Sequence, residues 1–150
     1  MATTQEMVRH RLDVDEPDYP MMAREFGSPA ADYLRVLLDE EDELLASKAV
    51  YLAGLIPAES AVDILAAAAD NASPIVRVAA AASLANKPGL ESAPLLEALL
   101  DDDDIGVRKT ALRTAGKLRA ASVRGKIEAM AQSDSHDALR QLARETLSHT

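Results

Sequence analysis

The chain has 150 residues, 48% of them hydrophobic, enough for one domain with a sizeable core. It has no Cys, which excludes disulfides, thiolate metal sites and a Cys nucleophile. A formal net charge of −9 disfavours unaided binding to nucleic-acid phosphates. Aromatic residues are only 3% of the chain, so the core must come from Ala and Leu. That composition suits close helix–helix packing and not sheets rich in aromatic and β-branched residues. Runs such as Ala66 to Ala69 and Ala79 to Ala82 favour helix because Ala loses no side-chain entropy.

In chain order, residues 1–10 are polar and lack the apolar core of a signal peptide. Thr3 and Glu6 have capping-box spacing for a short helix over 4–12. Residues 13–20 are acidic, carry Pro17 and Pro20, and read as a loop. Residues 21–26 read as a degenerate helix, so 1–28 form a partly looped N-terminal cap. A helix over 29–39 follows. Paired helices are then expected at 42–55 and 58–70, at 73–86 and 89–101, and at 104–118 and 120–132, with a last helix at 136–148. Pro57 and Lys87-Pro88-Gly89 mark turns within pairs. The breaks between pairs, at 39–43, 70–73, 101–104 and 133–136, are rich in capping residues. The apolar stretch 61–69 is broken by Asp63 and too short to span a bilayer, so the chain reads as soluble and cytoplasmic.

Shifting the chain by 31 residues superposes its hydrophobic positions. Leu34, Leu65, Leu96 and Ile127 form one column, and Leu37, Ala68, Leu99 and Met130 another. Leu45, Val76 and Val107 continue at Leu139 after one inserted residue, as Ala49, Ala80 and Ala111 continue at Ala143. Residues 29–150 therefore read as a single all-α array of helical hairpins, an α–α superhelix.

The stretch from Leu99-Leu100 through Asp101 to Asp104, Val107-Arg108, Ala111 and Ala115-Gly116 resembles the junction of HEAT repeats. It looks most like the short variety named after phycobilisome lyases. Ile75-Val76-Arg77 to Ala80 and Leu84-Ala85 repeats the pattern, as does Leu139-Arg140 with Ala143; residues 40–55 match with Ala46 in place of the Arg. The resemblance implies a HEAT-like solenoid and is weak for function, because this fold serves many purposes. It also implies a structural ladder. Arg77, Arg108 and Arg140 each follow an Asn or Asp by six residues, at Asn71, Asp102 and Asp134, and would join repeats through Arg-to-carboxylate or Arg-to-turn contacts.

In such arrays the second helices, which carry Leu34, Leu65, Leu96 and Ile127, are implied to line the concave surface. Their stripe opposite the core has Ala and Gly edged by Asp32, Arg35, Asp63, Asp70, Glu97, Asp101 and Glu128. This is the expected groove for a basic or amphipathic segment of another protein. No catalytic constellation, metal site or cofactor motif is read. His10, His136 and His149 lack ligand spacing, the 101–104 run lacks the Gly and Glu of an EF-hand loop, and no Gly-rich phosphate loop occurs. The expected function is a non-catalytic adaptor, scaffold or inhibitor. The alternatives are tetrapyrrole handling of the phycobilin-lyase kind and head-to-tail self-association. The last follows from charge: residues 1–104 hold 21 acidic and 7 basic side chains, and residues 105–150 hold 4 and 9. The basic group Arg108, Lys109, Arg113, Lys117, Arg119, Arg124 and Lys126 lacks the aromatic interleaving of a nucleic-acid surface.

Overall fold

The computed structural model describes residues 3–88 and 92–149, and among these every regular element is helical. In order they are α1 (Gln5–Leu12), α2 (Tyr19–Phe26), α3 (Ala31–Leu37), α4 (Glu43–Ala53), α5 (Ala58–Ala69), α6 (Pro74–Ser83), α7 (Ala93–Leu100), α8 (Ile105–Leu118), α9 (Arg124–Ser133) and α10 (Asp137–Leu147). Short 3-10 turns at Ser28–Ala30, Leu84–Asn86 and Ala121–Val123 extend α3, α6 and α9. None of the described helices is long and apolar enough to cross a membrane.

The polar breaks start helices because their side chains meet N–H groups that a helix leaves unpaired. Asp42 accepts from Leu45 N–H and Asp104 from Val107 N–H. At the N-terminus the expected caps shift. Thr4, not Thr3, accepts the Met7 N–H at 3.2 Å. The expected 13–20 loop is shorter, because Asp18 caps α2 and Pro20 sits in its first turn, where its missing N–H costs nothing. The expected start of a helix at 89 falls outside the described residues.

Two rows of helices form the array. An Ala-rich row consists of α4, α6, α8 and α10, and a Leu-rich row of α3, α5, α7 and α9. Each Leu-rich helix packs most on the Ala-rich helix that follows it across the acidic break: α3 on α4, α5 on α6, α7 on α8, α9 on α10. The pairs inferred from the sequence, joined at Pro57 and around residue 88, are the looser ones. Short polar breaks hold antiparallel neighbours together, and the contacts described next reinforce them.

Three of the breaks share one arrangement. Asn71, Asp102 and Asp134 each accept from the N–H two residues on, of Ser73, Asp104 and His136, at 2.9, 2.9 and 3.0 Å. This Asx turn closes the break locally. The Arg six residues later returns to the same turn. Arg77 Nη1 donates to the carbonyls of Asn71 and Ala72, and Arg108 Nη1 to those of Asp102 and Asp103. Arg140 Nη1 donates to the Asp134 carbonyl. The other side of the fork reaches the next repeat. Arg77 Nε and Nη2 donate to both Asp102 oxygens at 2.8 and 3.1 Å, and Arg108 to both Asp134 oxygens at 3.0 and 3.3 Å. The carboxylate thus comes from 25 or 26 residues ahead, while the residue six back contributes its backbone. Where Ala46 replaces the Arg, the residue 25 ahead is Asn71, whose amide turns to the Leu38 carbonyl instead.

The Ala-rich row is also held along its length. Ser83 Oγ donates to the Val50 carbonyl and Thr114 Oγ1 to the Ala81 carbonyl. Lys87 Nζ donates to the Ile56 carbonyl, so the partner rises with residue number and α4 and α6 run parallel. Small side chains allow the close approach: Ala49, Ala53, Ala79, Ala80, Ala81, Ala111, Ala115 and Ala143 are all fully buried. The N-terminal residues seal the α3–α4 end. Val8, Leu12, Met22 and Phe26 are buried, Tyr33 donates to the Thr3 carbonyl, and Arg9 pairs with Glu40 at 2.5 Å.

Two stability outcomes follow. A Cβ on Gly54 would lie 2.8 Å from Ser83 Cβ, whereas one on Gly125 would meet nothing within 4 Å. Urea unfolding should show Gly54→Ala destabilised by about 1–3 kcal/mol through overpacking. Gly125→Ala should be stabilised by about 0.5 kcal/mol. The second outcome concerns Asp134, whose side chain is 5% exposed. Burial alone would raise its pKa, but the His136 N–H and the Arg108 guanidinium outweigh burial and hold it below the usual value. A depressed folded pKa gives stability that is present above the unfolded value of about 3.9 and is lost as pH falls through the folded one. Asp134→Asn should therefore cost about 1–3 kcal/mol at pH 7. Its unfolding free energy should then fall less steeply than that of the unsubstituted protein below about pH 4.

Candidate interaction surfaces

Curvature decides which row faces inward. Successive Ala-rich helices make extensive contact, α4 with α6, α6 with α8 and α8 with α10, while successive Leu-rich helices touch only slightly. In a curved double layer the closer row is the inner one. The Ala-rich helices therefore line the concave side and the Leu-rich helices fan out on the convex side. This corrects the expectation that α3, α5, α7 and α9 floor the groove. The reason is axial distance, since rows of buried Ala allow approach that Leu34, Leu37, Leu65, Leu96 and Leu99 do not.

The carboxylates expected to edge a groove are exposed on this outer row and at the turns, and the structure gathers only some of them. Between α5 and α7 lies an open cleft of about 420 Å³ that includes Asp70, Ala98, Asp101 and Asp103. A second, of about 480 Å³ between α7 and α9, includes Asp101, Asp103, Lys126 and Ala129. The two meet at Asp101, Asp102 and Asp103. Asp32, Arg35, Asp63, Glu97 and Glu128 line neither. Arg35 pairs with Asp39 at 3.8 Å, and Glu128 with Arg124 at 3.1 Å.

Charge within the clefts is partly neutralised. Asp102 is held by Arg77, and the bond raises the Arg77 pKa above its ordinary value. Asp101 pairs with Lys126, whose pKa is raised first by that hydrogen bond and also by Glu97 nearby. Asp70 and Asp103 make no ion pair among the described residues and are exposed. Lys126 at this acidic edge was not legible as a cleft residue, since it reads as one of a basic group. Its signal is its spacing: it follows Asp101 by 25 residues, the interval that separates Arg77 from Asp102.

The ionisable side chains of the two clefts are Asp and Lys126 together with the ladder arginines, and neither cleft is lined by a His. His136 lies beside Arg108 Nη2 at 3.2 Å, on the ladder, and His10 and His149 are exposed elsewhere. Among the described residues no cluster of His, Asp or Glu is placed to hold a metal ion.

Comparison with known proteins agrees with this architecture. No curated protein matches the sequence. Among solved structures, the chain is similar to one from the complex of CpcE and CpcF of phycocyanin lyase from Nostoc sp. PCC7120. The TM-score is 0.66 at 19% identity, over 100% of this chain and 67% of that one, a likeness of fold. The model of the family described as HEAT repeats matches residues 65–148, more than half of the chain. The junction clamps, the hairpins they join and this match together establish that the chain belongs to the HEAT-repeat family.

Proposed function

We propose that the chain is a non-catalytic protein-interaction module that takes a basic segment of another protein along its acidic turn edge. The observation that carries this reading is the pair of clefts that meet at Asp101 to Asp103. They run across successive hairpins, hold the unpaired carboxylates of Asp70 and Asp103, and contain the exposed small side chains of Ala98 and Ala129. Small residues let a partner backbone approach, and unpaired carboxylates attract and orient Lys or Arg. The Arg ladder belongs to the scaffold here, because each of its guanidinium groups is already engaged. Asp63 and Glu97, on the same row, would steer a longer basic segment toward the clefts. Tetrapyrrole handling is the second reading, and the likeness in fold to a chain of the phycocyanin lyase complex is its support.

A fluorescent Lys/Leu amphipathic peptide, followed by anisotropy, tests the first reading. Asp70→Lys with Asp103→Lys should weaken binding by at least about tenfold while helicity stays unchanged, since truncating rim charges acts on encounter and register. Undiminished affinity in that double variant contradicts the site. A bilin titration that gave a saturable absorbance change would favour the second reading.

A further inference from the structure

The basic residues of 105–150 look alike in the sequence, but their partners divide them. Arg108 is locked to Asp134, Lys126 to Asp101, and Arg124 to Glu128. Lys109, Arg113 and Lys117 are exposed and make no hydrogen bond or ion pair among the described residues through their side chains. Their spacing of four residues puts them in one stripe along α8. Since α8 packs on α6, α7 and α10, this remaining face is the one turned to the concave side.

Beside the stripe lies an open groove of about 510 Å³ between α8 and α10. Half-buried Leu142 and Gly116 expose its largely apolar floor above the buried Leu112 and Thr146, and Arg113 and Lys117 stand on one rim with Glu145 opposite. Gly116 faces α10: a Cβ there would stand in ordinary contact with Thr146 Cγ2, at 3.6 Å. Glu145 is engaged by the Gln141 amide at 3.2 Å. On the other side of α8, α6 also presents apolar side chains. Ile75 is 44% exposed, and Val78 Cγ2 lies 3.9 Å from where a Gly106 Cβ would stand.

We infer that this concave groove docks an acidic amphipathic helix of a partner protein. Charge complementarity selects the occupant. A chain of net charge −9 keeps three unpaired cations in line here, on the face that the array's curvature encloses. An apolar floor between helices takes the leucine stripe of an incoming helix, and the cations take carboxylates on its flank. Nucleic-acid phosphates would use the cations but not the apolar floor at Leu142. The inference concerns the opposite face and opposite sign from the acidic clefts, so either can fail alone.

The probe is a synthetic peptide of about five helical turns with a leucine stripe and glutamates on the other face. Anisotropy should show saturable binding that Arg113→Glu with Lys117→Glu weakens by at least about tenfold. Asp70→Lys with Asp103→Lys should leave this binding in place, and a peptide with Ser for each Leu but every Glu retained should not bind. No binding by the unsubstituted protein, unchanged binding by the Arg113/Lys117 variant, or equal binding of the Ser peptide would each overturn the inference. So would duplex DNA binding in the peptide's place at the same salt. Self-association that the same double substitution abolishes would assign the groove to a second copy and overturn it as well. Circular dichroism of the variant, whose substituted residues are exposed, checks that it stays folded.

Discussion

The structure depends on the fork of one arginine gripping two turns at once. Arg108 satisfies carbonyls of the break that starts its own helix, then holds both oxygens of Asp134 in the next break. Its side chain is 12% exposed and that of Asp134 is 5% exposed, so solvent screens the pair little. A buried pair of this sort is weak evidence for net stability, but removing one partner leaves an uncompensated charge. Its clearer effect is on register. A turn closed by an Asx bond, gripped by its own Arg and by the Arg before it, can meet its neighbour in only one way.

Register fixed at each turn lets small side chains do the rest. The buried Ala columns of α4, α6, α8 and α10 come close, and Ser83 and Thr114 bond across to the preceding helix. The Leu columns keep the other row apart. Curvature results from that difference in side-chain size. It also separates two surfaces by charge, with carboxylates on the fanned row and turn edge and the free α8 cations within the concave side. Under the proposed reading, faces of opposite sign would let the chain hold two partners at once.

Much of this was legible from single residues. The 31-residue columns pointed to the helical array, and the family resemblance marked Arg77, Arg108 and Arg140, each six residues after a turn residue, as scaffold. The carboxylate partner was less legible: a spacing of six suggests contact with that residue's side chain, whereas the Arg takes its backbone and reaches 25 or 26 residues ahead. Which row lies inside was read the wrong way round, because hydrophobic periodicity shows that both rows face a core but not how closely their axes approach. The cations could not be sorted either. Arg108 and Arg113 are alike in sequence, and only the fold puts Asp134 beside the first and leaves the second exposed. At the N-terminus the polar composition of 13–20 concealed the start of α2, since Pro at a first helical turn looks the same as Pro in a loop.

A double-mutant cycle across one clamp tests the central claim most directly. Arg77→Met, Asp102→Asn and their combination, unfolded in urea at neutral pH, isolate the coupling between neighbouring repeats. The clamp predicts a coupling free energy of at least about 1.5 kcal/mol, with the double variant losing less stability than the sum of the two single losses. A coupling indistinguishable from zero would contradict it and would leave register to the apolar columns alone.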